Sequence, residues 1–210
     1  MNHQNSFYQA FVNSIANYSR GKVLTRDLWI EIDSAYSSGE RHYHNLKHLQ
    51  DVFLELQNIR ENIVDWDVVI FSIAYHDIVY EVLRNDNEEK SAEIAEKGLA
   101  PFLDNRLVQK CKTIILSTKA HLMTNDSDTN YFTDADLSVL GSNPESYHIY
   151  AKNIRKENFT FPDVIYKSGR RKVIEYFLKM ERIYKTGWFF NKCEAAAREN
   201  LTSELSILLE

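Results

Sequence analysis

Residues 66–80 read WDVVIFSIAYHDIVY. Nine of these fifteen side chains are apolar residues other than tyrosine, and on a helical wheel they lie on every side. A helix of this kind lies in the middle of a helical bundle. Near its C-terminal end it carries His76 and Asp77, and an ionised carboxylate in an apolar interior is unfavourable unless it is paired or bound to a metal. The stretch therefore predicts a central helix over residues 66–80 that bears a functional His-Asp pair.

The rest of the chain has the composition of an ordinary globular protein. Its 210 residues, of which 44% are hydrophobic and 26% charged, are enough to bury a full core. Helical spacing recurs, as in residues 45–59, and we find neither strand alternation nor repeats. Residues 124–130 are rich in Asn, Asp, Ser and Thr and are predicted as a loop, followed by a short helical turn that begins within residues 134–138. We expect an all-α fold, with one helical domain over residues 1–210.

Cysteines, apolar runs and net charge limit the location and the partners. Cys111 and Cys193 lack CxxC spacing, which disfavours a disulfide scaffold and favours the cytoplasm. No apolar run is long enough for a membrane span, and the N-terminus is too polar for a signal peptide. The net charge of −5 argues against nucleic-acid polymers, although residues 150–192, with eleven Lys/Arg and four Asp/Glu, could attract an anionic substrate. The many aromatic residues would suit a core or a homodimer interface.

Two pairs of residues have the spacing of metal ligands. His44 and His48 are four residues apart, which on a helix places them on one face about 5–6 Å apart. Both could bind one metal, or one could bind while the other donates a proton, or both could simply cap a helix. His76 and Asp77 leave a helix about 100° apart and converge only above it, where an ion at about 2.0–2.2 Å from each would fit. A buried pair satisfied by hydrogen bonds is the alternative.

Four segments taken together resemble one protein family. They read RxYHNxxH, HDxxY, NExxSA and DADLxxLG, at residues 41–48, 76–80, 87–92 and 134–141. Their order is similar to that in the small bacterial predicted phosphohydrolases of the HD-domain superfamily, which are all-helical proteins named for a His-Asp pair. The resemblance covers the chain from Arg41 to about Leu201. YHNLKHLQDV, residues 43–52, also resembles a motif of the cyclic-nucleotide phosphodiesterases, but this chain is much shorter and shows no purine pocket.

The resemblance implies a metal-dependent phosphohydrolase. It implies that His48, His76, Asp77 and Asp136 bind metal and that His44 donates a proton to the leaving oxygen. Two histidines and two carboxylates leave positions for water on a divalent ion, which could be Mn, Mg, Fe, Ni or Zn. Such an ion lowers the pKa of water from 15.7 toward about 7. We expect an enzyme that cleaves a small phosphate ester or anhydride, nucleotide-like in character, with His44 and Asp77 as its catalytic residues.

Further residues could orient the ligands or bind substrate phosphate, although each also has an ordinary structural explanation. The main set is His121 (one turn after Thr118), Arg41, Glu88 (or its neighbour Glu89), Asp134 and Arg155. Asp51 is a further candidate for orienting a histidine. Lys119, Arg170 and Arg171 are further candidate phosphate clamps.

Two other functions stay open. Some HD-fold proteins with similar ligands are di-iron oxygenases, and in this chain His121, with Asp77 as a bridge, would have to serve the second iron. Alternatively, the chain is a non-catalytic binding module that keeps its metal for structural reasons. A closed site with four protein ligands and no water would favour that module.

Overall fold

All regular secondary structure in residues 4–18 and 22–209 is helical, and these are the residues that this computed structural model describes. Within them lie ten α-helices: α1 (Gln4–Ala16), α2 (Lys22–Tyr36), α3 (Leu46–Gln57), α4 (Trp66–Tyr75), α5 (Asn87–Leu99), α6 (Asn105–Ser117), α7 (Ser127–Asp136), α8 (Pro144–Glu157), α9 (Asp163–Lys179) and α10 (Gly187–Leu209). Two short 3-10 turns, Arg60–Asn62 and Leu137–Gly141, precede α4 and follow α7. The all-α prediction is confirmed. Among these helices, none combines the length and the apolar character needed to cross a membrane.

The chain divides into two compact units between Thr133 and Asp134, a position that lies inside α7. In the first unit, α4 contacts α1, α3, α5 and α6. In the second unit, α10 packs against α9 and against the 3-10 turn that follows α7, and α8 contacts the same turn. One domain over residues 1–210 stays a prediction.

Helix α4 is the centre of the first unit. All eight residues from Val68 to Tyr75 are buried, as expected for a helix that is apolar on every side. The Phe71 ring lies 6.0 Å from that of Phe11 and 6.3 Å from that of Phe102, so α4 is surrounded by aromatic contacts. Because each fully buried large apolar side chain contributes about 1.5–3 kcal/mol, this packing fixes the position from which the His-Asp pair emerges.

The C-terminal end of α4 differs from the sequence prediction. The predicted helix over residues 66–80 is wrong for its last five residues, because α4 ends at Tyr75 and a turn follows. The backbone carbonyls of this turn lie beyond the helix and need partners from elsewhere in the chain. Here the Arg41 guanidinium donates to the carbonyls of Asp77 (2.7 Å) and Ile78 (2.9 Å), and the Tyr36 hydroxyl accepts the Asp77 N–H at 3.0 Å. These distant side chains stabilise the turn, and nothing in the local sequence indicates them.

The start of α7 also lies earlier than predicted. The loop prediction for residues 124–130 is wrong from Ser127 onward, where α7 begins. The Asp126 carboxylate accepts hydrogen bonds from the Thr129 backbone N–H (2.9 Å) and hydroxyl (2.6 Å), which caps the helix. Short polar side chains favour loops and helix caps alike, so their density alone does not distinguish the two.

A buried carboxylate from α7 holds the start of α4. The Asp128 side chain accepts the backbone N–H groups of Val64 (2.8 Å) and Asp65 (2.9 Å). The Lys110 ammonium donates to the same carboxylate at 2.7 Å, and Asp128 itself has no solvent exposure. Asp128 therefore joins α4, α6 and α7 within the first unit.

We expect Asp128→Ala to lower the free energy of unfolding by about 3 kcal/mol, because it leaves two partly buried backbone donors without their acceptor and takes one carboxylate partner from the Lys110 ammonium, which keeps Asp65. Urea unfolding followed by circular dichroism measures the change. Glu93→Ala is the matched control, since the Lys90–Glu93 ion pair of 2.9 Å is largely exposed and should contribute less than about 1 kcal/mol. Equal losses in the two variants would show that Asp128 does not hold α4.

Candidate metal centre

Three of the predicted metal ligands meet in the first unit, where α3 faces the end of α4. The Nε2 atoms of His48 and His76 are 3.1 Å apart, and the Asp77 Oδ2 atom lies 3.0 Å from His76 Nε2 and 3.7 Å from His48 Nε2. Two donor atoms that each lie about 2.0–2.2 Å from one ion are at most about 4.4 Å apart. All three separations satisfy this limit, so the three groups fit a common cation.

The His76 ring is oriented by its own helix. Its Nδ1 atom lies 3.0 Å from the Ile73 carbonyl oxygen, which only accepts hydrogen bonds, so we assign the proton to Nδ1. This assignment leaves a lone pair on Nε2, the atom that faces His48 and Asp77. The Phe132 ring packs against the imidazole in a T-shaped arrangement, with 5.6 Å between the centroids and 81° between the planes. Both contacts hold the ring in a geometry suited to a metal ligand.

The electrostatics of the cluster also favour a cation. Burial raises the pKa of the Asp77 carboxyl, but the adjacent imidazoles of His76, His44 and His48 more than offset this and hold the pKa well below its usual range. The carboxylate is therefore ionised at neutral pH. When both facing Nε2 atoms carry lone pairs at 3.1 Å, they repel each other, and a proton or cation between them removes the repulsion.

Asp136 is the last residue of α7 and is joined to Phe132 by one turn of uninterrupted helix. One ligand atom from each of His48, His76 and Asp136 can be chosen so that all three lie within 4.8 Å of one another. This group could hold a metal ion. Simultaneous ligation by all four predicted residues stays a prediction.

His44 lies beside this cluster, just before the start of α3. Asn45 is the N-cap of α3, with an extended backbone, and its side chain accepts the N–H groups of Lys47 and His48. The His44 and His48 ring centroids are 5.8 Å apart, and the His44 ring stacks on Tyr80 at 4.0 Å with 27° between the planes. Because α3 starts after His44, the two histidines do not share one helix face. Its role as proton donor stays a prediction.

Two candidates from the α5 and α6 region have other contacts. The Glu88 carboxylate lies 3.7 Å from the Lys119 ammonium, which also contacts Glu89 at 2.6 Å. His121 follows α6 and has a positive φ of 51°, which is uncommon outside glycine and is found at functional sites among other places. Neither observation tests a role in catalysis, so both roles stay predictions.

Asp134 is engaged within the second unit. Its buried carboxylate accepts the N–H groups of Lys185 (2.9 Å) and Thr186 (2.7 Å), as well as the Thr186 hydroxyl (2.7 Å). The Lys185 ammonium is a further 3.3 Å partner. Asp134 therefore fixes the segment that leads into α10. The proposed part of Asp134 in orienting a ligand stays a prediction.

The candidate phosphate clamps are engaged in ion pairs or backbone contacts. Arg155 binds Asp163 at 2.6 Å and donates to the Asn158 and Phe161 carbonyls. The others pair as follows: Lys119 with Glu89, Arg170 with Glu204, and Arg171 with Glu175. Asp51, the candidate for orienting a histidine, contacts the exposed Lys47 one helical turn away. None of these contacts involves a metal-ligand candidate.

Sequence reasoning did not single out Tyr36 or Phe132, which contact Asp77 and His76 directly. Tyr36 lies 41 positions before Asp77, and Phe132 lies on a helix whose first residues looked like a loop. Tyr80 is the terminal residue of the HDxxY segment, and its spacing was the one available signal for the residue on which His44 stacks.

Comparisons with known proteins identify no relative. No family model matches the chain, and no match is found among curated proteins or solved structures. The resemblance to HD-domain proteins therefore depends on the four short segments described above. An all-helical fold does not by itself indicate a function. The chemistry of the His48, His76, Asp77 and Asp136 side chains is the better guide.

Proposed function

We propose that the protein is a metal-dependent phosphohydrolase of the HD type, which cleaves a small phosphate ester or anhydride. One observation supports the proposal most strongly. Two buried imidazole nitrogens and an ionised carboxylate converge at 3.0–3.7 Å. This donor set suits divalent ions of the first transition row. In the proposal, His48, His76, Asp77 and Asp136 hold the ion, and the substrate is nucleotide-like.

Each residue of the candidate site has a defined role in this proposal. A divalent ion in the site would supply Lewis acidity and a lowered pKa for water. The Ile73 carbonyl keeps the His76 ring oriented, and Asp77 contributes a full negative charge. His44, held flat against Tyr80, gives a proton to the departing oxygen. Proton donation and charge neutralisation together match the needs of phosphate-ester cleavage.

A metal-reconstitution assay tests the proposal. The protein is stripped with a chelator, reloaded separately with Mn²⁺, Mg²⁺, Fe²⁺, Ni²⁺ or Zn²⁺, and assayed for phosphate release from a panel of esters and anhydrides. We expect metal-dependent release from at least one class of substrate. Two irons per chain with oxygen consumption would instead favour an oxygenase. Tight metal binding without turnover of any substrate would favour a structural metal, although the 19% exposure of the Asp77 side chain argues against a closed site.

A further inference from the structure

We propose that Arg41 is a positioning residue, which holds the metal ligand Asp77 and the proton donor His44 in one fixed geometry, and that it does not bind the substrate phosphate. The inference rests on the proposed function and deepens it. All residues involved lie in the first unit. From the sequence, Arg41 was a candidate for binding substrate phosphate.

The Arg41 guanidinium donates hydrogen bonds to three backbone carbonyls. Nη1 donates to the His44 carbonyl at 3.2 Å and to the Asp77 carbonyl at 2.7 Å, and Nη2 donates to the Ile78 carbonyl at 2.9 Å. Three of the five N–H donors of the arginine are thus used on backbone oxygens. The fork between Nη1 and Nη2 is therefore occupied, and a phosphate group could bind on that side only by displacing these carbonyls.

Aromatic rings enclose the guanidinium. Its Cζ atom lies 4.8 Å from the centroid of the Tyr36 ring and 5.8 Å from that of the Tyr80 ring. The Tyr36 hydroxyl accepts the Asp77 N–H, and the Tyr80 ring stacks on His44. Arg41 therefore contacts Asp77 and His44 directly through their backbone carbonyls, and indirectly through the Tyr36 and Tyr80 rings. A shift of the guanidinium would move Asp77 and His44 together.

The positive charge of Arg41 also stabilises the turn after α4. The C-terminal end of a helix carries a partial negative charge, which is unfavourable beside an ionised carboxylate such as Asp77. The Arg41 guanidinium binds the Asp77 and Ile78 carbonyls just after α4 and so brings a positive charge to this end of the helix. Without it, the turn after α4 would lose both its hydrogen-bond donors and its compensating cation.

The test is a comparison of Mn²⁺ affinity and phosphate affinity. For Arg41→Lys we expect calorimetry without substrate to show a 10- to 100-fold weaker Mn²⁺ affinity, about the loss usual when a group that supports a ligand is changed. An ammonium is a point charge and cannot span three carbonyls. At saturating Mn²⁺, the inhibition constant of inorganic phosphate should change by less than about twofold. For Arg41→Ala, millimolar guanidinium should restore much of the Mn²⁺ affinity, which a folding defect would not permit.

Arg198→Lys is the matched control. Arg198 also donates to three backbone carbonyls around the end of a helix, that of Leu178 in the last turn of α9 and those of Met180 and Glu181 after it. This variant should lower the unfolding free energy without changing Mn²⁺ affinity. If wild-type protein binds none of Mn²⁺, Mg²⁺, Fe²⁺, Ni²⁺ and Zn²⁺, the proposed function fails and the inference fails with it. If wild-type protein binds Mn²⁺ and Arg41→Lys binds it equally well but phosphate at least tenfold more weakly, only the inference is overturned and Arg41 is a phosphate clamp.

Discussion

His76→Ala should abolish metal binding and lower phosphohydrolase turnover by at least about a thousandfold. Among the described side chains, the Nε2 atom of His76 lies within 3.1 Å of both His48 Nε2 and Asp77 Oδ2, so its loss removes the middle of the donor set. Metal-ion catalysis contributes several kcal/mol, and about 4 kcal/mol corresponds to a thousandfold in rate. Metal content after dialysis against Mn²⁺ and initial rates of phosphate release measure the two effects.

Two further variants make the result interpretable. Asp77→Asn keeps the volume of the side chain and leaves the backbone carbonyl that Arg41 contacts, so a loss of Mn²⁺ in that variant reflects the missing charge. His42→Ala is the control, because His42 belongs to the same segment as His44 but is exposed and has no assigned part in the site. Unchanged metal content and turnover in His76→Ala would rule out the proposed centre.

The position of the candidate metal site was predictable in part, because it follows from local patterns. An apolar helix with a charged pair at one end has to lie in the core and has to satisfy that pair, and α4 does both. The Nε2 atoms of His48 and His76 meet although 28 positions separate them. The spacing of His44 and His48 does not by itself show which of the two lies on a helix. The N-cap at Asn45 decides this, because α3 begins after it and contains only His48.

The features that escaped prediction depend on contacts between distant residues. The end of α4 is set by Arg41 and Tyr36, which lie 36 to 41 positions earlier in the chain. No glycine or proline marks this end, so periodicity alone extends the helix by a further turn. The partners of Asp134 and Arg155 likewise cannot be predicted from the sequence. The identity of a charged residue does not show whether its side chain binds a substrate phosphate or groups of the protein itself.

The role of His44 can be separated from metal binding by the choice of substrate. We expect His44→Gln to lower turnover of an alkyl phosphate by about 10²–10⁴-fold, the usual contribution of a general acid. Hydrolysis of p-nitrophenyl phosphate should change far less, because nitrophenolate leaves without being protonated. Mn²⁺ affinity should stay the same, since the His44 ring lies 5.8 Å from that of His48 and stacks on Tyr80.

Steady-state kinetics with both substrates, together with calorimetric Mn²⁺ titration, give three distinguishable patterns for His44. A selective loss on the alkyl ester identifies a proton donor, because only that leaving group needs the proton. An equal loss on both esters with weaker Mn²⁺ binding would identify His44 as a ligand, so that both histidines of the pair would bind one ion. Unchanged kinetics on both esters would contradict any chemical role, and the stacked His44–Tyr80 pair would then be a structural contact beside the ion.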